Sequence, residues 1–129
     1  MIDHLSVVVS DYAKSKSFYL QALAPIGYSR LIELPGALAG HTDTAGFSHA
    51  DGSDFWISPG MANKPPIHIA FRVSTRAEVD AFHQAAVAAG GKDNGAPGVR
   101  PNYSANYYAA FVIDPDGHNL EAVCHAPEA

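Results

Sequence analysis

The sequence holds a single cysteine, a single tryptophan and two methionines, and only eight lysines and arginines against thirteen aspartates and glutamates. A lone cysteine, Cys124, excludes an internal disulfide and suits a reducing compartment. With a net charge of −5 and no basic cluster, the chain lacks the electrostatic footprint of a nucleic-acid binder. No apolar run approaches membrane-spanning length, and no basic segment followed by an apolar one opens the sequence. These absences lead us to expect a cytoplasmic protein with no membrane or nucleic-acid partner. What is present, 47% apolar and 16% charged residues in 129, suits one globular unit with a real core.

Strand and helix patterns alternate along the chain. Ile2 to Ser10 is an apolar strand, and Ser10 or Asp11 caps the following helix. Phe18 with Ala22, and Tyr19 with Leu23 and Ile26, make its apolar face, and Pro25 and Gly27 end it. Tyr28 to Leu34 reads as a strand, Pro35 to Gly46 as a loop, and Phe47 to Ser58 as a hairpin turning at Asp51-Gly52. Gly60 to Pro66 is a linker, after which the order begins again. Ile67 to Ser74 is a strand, and Thr75 to Glu78 has the form of a capping box. Val79, Phe82, Ala86 and Ala89 form a helical stripe closed by Gly90-Gly91. A glycine- and proline-rich loop is expected from Asn94 to Asn106. A hairpin from Tyr107 to Cys124 then turns at Asp114-Pro115-Asp116-Gly117.

A shift of sixty-four residues brings His4 onto His68, Ser10 onto Ser74, Phe18 onto Phe82, Ala22 onto Ala86 and Gly27 onto Gly91. One residue more brings Asp51-Gly52 onto Asp116-Gly117 and places Trp56 opposite Glu121. Two similar α+β units are therefore expected, residues 1–62 and 63–129.

Side chains alternate across a strand. Leu5, Val7 and Val9 share one face of the first strand, and Ile69, Phe71 and Val73 share one face of its counterpart. These apolar faces should pack on the helices. The other faces carry His4, Ser6 and Val8 in one unit and His68, Ala70 and Arg72 in the other. Glu121 is a mid-strand carboxylate among apolar neighbours, costly to bury without a partner. His4, His68 and Glu121 meeting in one cavity would make a metal site with open positions, suited to Fe(II), Mn, Ni or Zn. Of the remaining histidines, His41, His49 and His118 fall in loops or turns, and His83 lies near the second helical stripe. His125 is about 13 Å along an extended strand from Glu121, too far to join the same ion. Cys124 lies on the opposite face from Glu121, as a packed thiol.

Three stretches carry a resemblance: Asp3-His4-Leu5, Ile67-His68-Ile69-Ala70-Phe71, and the run Asp114-Pro115-Asp116-Gly117-His118-Asn119-Leu120-Glu121. Through them nearly the whole chain resembles the glyoxalase, bleomycin-resistance and extradiol-dioxygenase superfamily, the vicinal oxygen chelate proteins. The resemblance implies two βαβββ modules forming a cupped, barrel-like mixed sheet with helices outside. It implies a divalent metal at His4, His68 and Glu121, and a homodimer in which modules of two chains complete each barrel. Its implied function is a metal-dependent lyase or dioxygenase acting on a small molecule that chelates the metal through vicinal oxygens. The alternative is a non-catalytic binding protein of the bleomycin-resistance type. Trp56 would wall the cavity and Arg72 would hold an anionic group. Tyr103, Tyr107 and Tyr108 would close over the ligand or donate hydrogen bonds, and Phe111 would line the site. Trp56 stands where glyoxalase I proteins have a fourth ligand, which counts against lactoylglutathione lyase activity. Phe111 stands where fosfomycin-modifying members have a tyrosine, and no residue matches the acid/base histidine of extradiol dioxygenases.

Overall fold

The computed structural model describes residues 1–36 and 43–128. Strand β1 (Leu5–Val9) leads into helix α1 (Tyr12–Leu23), whose first turn is capped by the Asp11 carboxylate accepting from Lys14 N–H at 3.1 Å. A short 3₁₀ turn (Ala24–Ile26) stops at Gly27, whose φ of 99° a side chain would disfavour. Strands β2 (Arg30–Leu34), β3 (Thr44–His49) and β4 (Gly52–Pro59) complete the first unit. The second repeats the order with β5 (His68–Val73), helix α2 (Arg76–Ala88), β6 (Lys92–Val99), β7 (Tyr108–Ile113) and β8 (Asn119–Cys124). The capping box forms as expected: Thr75 Oγ1 accepts from Glu78 N–H, and the Glu78 carboxylate accepts from Thr75 N–H.

The described strands form two open four-stranded mixed sheets, ordered β1-β4-β3-β2 and β5-β8-β7-β6. In each, the first strand runs parallel to the last and the other pairs are antiparallel. This is the α+β fold of two βαβββ modules that the repeat foretold. Equivalent positions coincide in register: Ser6, Trp56 and Gly46 lie side by side in the first sheet, and Ala70, Glu121 and Phe111 in the second.

One face of each sheet packs on the helices. Val7, Val9, Phe47, Phe55 and Ile57 join Ile69, Phe71, Val73, Leu120 and Ala122 in a single buried cluster with Phe18, Tyr19, Val79 and Phe82. Along β5 these buried residues alternate with exposed His68, Ala70 and Arg72, the parity expected for a sheet covered on one side. Polar contacts also join the two halves. The Tyr19 hydroxyl on α1 donates to Asp114 at the β7–β8 turn, and Ser10 donates to Asp116. Burial, and then the Asp114 carboxylate, hold the Tyr19 phenol well above its ordinary pKa.

Two expectations need correction. The glycine- and proline-rich segment after α2 does not begin as a loop, because Lys92–Val99 is strand β6. It lies at a sheet edge and its register slips twice, so Pro97 and the glycines fit there without breaking a central ladder. The loop expected over 35–46 gives way to β3 at Thr44, and its centre, with His41, lies outside the described residues.

Candidate metal centre

Glu121 sits in β8 between Ala70 of β5 and Phe111 of β7, and it is 2% exposed. His68 lies two residues before Ala70, on the same face of β5. His68 Nε2 lies 2.9 Å from Glu121 Oε1. The other ring nitrogen, Nδ1, lies 3.0 Å from the Asn119 carbonyl oxygen. A carbonyl only accepts, so Nδ1 carries the hydrogen. In the neutral ring Nε2 then turns a lone pair toward a carboxylate, and two acceptors at this separation require a cation between or upon them. A proton on either group, or a metal ion, meets that requirement. Adjacent ligands about 2.1 Å from one ion at right angles stand about 3.0 Å apart, so the pair fits a first-row divalent ion.

The surroundings hold both groups. The Tyr107 hydroxyl donates to Glu121 Oε2. Partial burial, then that bond to Glu121, push the Tyr107 phenol up to about 12. Phe111 stacks on the His68 imidazole at 6.3 Å and 27°, and the Arg100 guanidinium lies 5.4 Å from the Phe111 ring. Arg100 is itself anchored by donating to the carbonyls of Gly98 and Ala96.

His4 does not join this pair within the chain. Its side chain is 57% exposed, and Nδ1 contacts Asp3 Oδ1 at 2.6 Å. Among the described residues no three His, Cys, Asp or Glu side chains converge as a metal-holding group. Trp56 lies outside the buried cluster, its ring flat against the Gly46 backbone where no side chain intervenes. It therefore shares the sheet face of Ser6, as the repeat expected. Arg72 is exposed on the same face of β5 as His68. Tyr103, also exposed, packs its ring 4.9 Å from that of Tyr107.

Tyr108 points the other way. Its hydroxyl donates to Asp80 on α2 at 2.6 Å, and Arg76 lies over its ring at 4.9 Å, so it does not reach this site. Strand parity carried this signal, because Tyr108 pairs with Cys124 on the helix side while Phe111 pairs with Glu121. Cys124 is buried there, as expected of a packed thiol.

Two polar groups escaped the sequence reading. His118, expected only as a turn residue, is fully buried, and its Nδ1 accepts from Ile67 N–H at 3.0 Å. The DPDGHN turn thereby fixes the start of β5, and with it His68. Asp54 accepts from Tyr28 at 2.7 Å and contacts His49 Nε2 at 2.8 Å. These three residues border a cavity of about 620 Å³ that also meets Phe55, Phe71 and Arg72. Neither His68 nor Glu121 lines it.

Comparison with known proteins agrees with this architecture. The family model described as the Glyoxalase/Bleomycin resistance protein/Dioxygenase superfamily matches residues 1–122. No curated protein matches the chain. A glyoxalase/bleomycin resistance protein from Albidiferax ferrireducens T118 is similar in structure, with a TM-score of 0.76 and 26% identity over 95% of this chain and 97% of that one. The genomically encoded fosfomycin resistance protein FosX of Listeria monocytogenes was solved as a mutant with Mn(II) and 1S,2S-dihydroxypropylphosphonic acid; it gives 0.69 and 19%, over 98% and 90%. A glyoxalase-related enzyme from Fulvimarina pelagi gives 0.68 and 18%, over 96% and 87%. At these lower identities the likeness is one of fold.

Proposed function

Because this chain belongs to the Glyoxalase/Bleomycin resistance protein/Dioxygenase superfamily, we propose that it is a metal-dependent enzyme of lyase or dioxygenase type. Its substrate is a small molecule presenting vicinal oxygens. The observation that carries this reading is the His68–Glu121 pair, with Nδ1 held at the Asn119 carbonyl and Nε2 2.9 Å from an oxygen of a buried carboxylate. A divalent ion bound there, Fe, Mn, Ni or Zn, supplies Lewis-acid chemistry to the substrate oxygens.

The chain's own residues bind and orient. The Asn119 carbonyl fixes the His68 tautomer, and Phe111 holds the ring plane. Exposed Arg72 offers a guanidinium to an anionic substrate group. In the dimer described next, Trp56, on the same sheet face as Ser6, would wall the space over the pair and favour an aromatic or alkyl substrate, with Tyr103 packed on Tyr107 at its rim.

The active form in this reading is a homodimer, in which the first module of one copy brings His4 to the His68–Glu121 pair of the other. Support comes from the exposure of His4 and from β1 and β5, each of which ends its sheet. The test is metal analysis with titration calorimetry on the full chain, alongside sedimentation. About one metal equivalent per chain in a dimer is expected, with clearly weaker binding by Glu121→Gln and the fold retained. Unchanged affinity in Glu121→Gln would overturn the ligand assignment. A metal-free protein whose melting temperature ignores Fe, Mn, Ni and Zn would favour the non-catalytic binding role.

A further inference from the structure

We propose that Tyr107 is a positioning residue for the metal centre, holding one Glu121 oxygen so that the other alone is presented to the ion. This rests on the metal reading above. The two carboxylate oxygens of Glu121 have different partners: Oε2 accepts from the Tyr107 hydroxyl, and Oε1 faces His68 Nε2. A carboxylate turns easily about its terminal bond, so a fixed donor on one oxygen decides which lone pairs reach the metal.

Tyr107 is built to be that donor. It stands just before β7, where its carbonyl accepts from Arg100 N–H at 2.6 Å and its own N–H donates to Ser104 O at 3.3 Å. These bonds close the turn from Arg100 to Tyr107 onto the end of the sheet. Tyr103 packs against the Tyr107 ring at 4.9 Å, and His125 meets it edge-on at 5.2 Å and 89°. The ring is therefore held by contacts that do not involve the hydroxyl, and the hydroxyl is left to one task. His125, just past the end of β8, thus helps to hold the Tyr107 ring.

Tyr107→Phe separates the two roles, since it keeps the ring and its neighbours and removes only the donor. The full-length protein is stripped of metal and titrated with Mn(II), with free ion followed by electron paramagnetic resonance and metal-free melting followed by circular dichroism. Roughly 10–100-fold weaker Mn(II) binding is expected, the usual consequence of losing a hydrogen bond to a ligand. Metal-free melting should stay close to wild type. If wild type binds Mn(II) and Tyr107→Phe binds it equally well, the positioning role is wrong and the metal reading stands. A loss of affinity matched by a collapse of metal-free melting would assign Tyr107 a structural role and overturn the inference. A wild-type chain that takes up no Mn(II), Fe(II), Ni(II) or Zn(II) would overturn both readings together.

Discussion

Gly46→Ala is the sharpest test of how the first sheet is packed. A Cβ built on Gly46 would lie 2.6 Å from both Cη2 and Cζ3 of Trp56, and 2.8 Å from Cε3. Carbon atoms rest about 3.5–4.0 Å apart, so the overlap is about 1 Å against three atoms of a rigid ring. The backbone has little freedom to yield, since Gly46 pairs with Ile32 on one side and Trp56 on the other. The indole must lift or change rotamer, at an expected cost of about 1–3 kcal/mol. For a chain of this size that lowers the melting temperature by roughly 4–10 °C. Urea unfolding followed by circular dichroism measures the cost, and the emission of the sole tryptophan should shift as the ring leaves its seat. The decisive comparison is a double-mutant cycle. In a Trp56→Ala background the same Gly46→Ala change should cost almost nothing, because the obstructing ring is gone. Equal destabilisation in both backgrounds would refute the contact, and a neutral Gly46→Ala in wild type would refute the packing of the sheet.

Two further outcomes are expected. Tyr19 has a folded-state pKa raised above its unfolded value near 10, so its contribution is complete below pH 10 and is lost as pH rises through the folded value. Stability should therefore fall above pH 10 by about 1.4 kcal/mol per pH unit on account of this phenol. Tyr19→Phe, measured by urea unfolding between pH 8 and 11 (roughly the reach of the unfolded phenol's titration), should be less stable at pH 8 and should show a flatter decline; an unaltered slope would contradict the Tyr19–Asp114 assignment. Thr75→Ala removes the cap of α2 and should cost about 1 kcal/mol. A thermal melt indistinguishable from wild type would show that α2 draws its stability from packing alone.

Local chemistry determined a good part of this protein before any contact was known. Thr75 with Glu78, the glycines at 27 and 90, and the Asp51-Gly52 and Asp116-Gly117 turns act within a few residues, so they can be read where they stand. The repeat carried further, since matching offsets in two units implied matching strands. The register bears this out in placing Trp56 and Glu121 at equivalent positions. Parity even marked which faces of β1 and β5 would be covered. Composition misled at β6, where glycine and proline signal a loop but an edge position tolerates both. What parity could not supply was distance. That Trp56 lies on a bare Gly46 backbone while Glu121 stands beside Phe111 depends on how each twisted sheet fills its own space. Residues far apart in sequence met for the same reason: Tyr107 reached Glu121, His118 closed on Ile67, and Tyr19 reached Asp114. His68 and Glu121 came together in one module because adjacent parallel strands fix their spacing. The position of His4 depends on how two modules are set against each other, and no local pattern in a strand encodes that geometry.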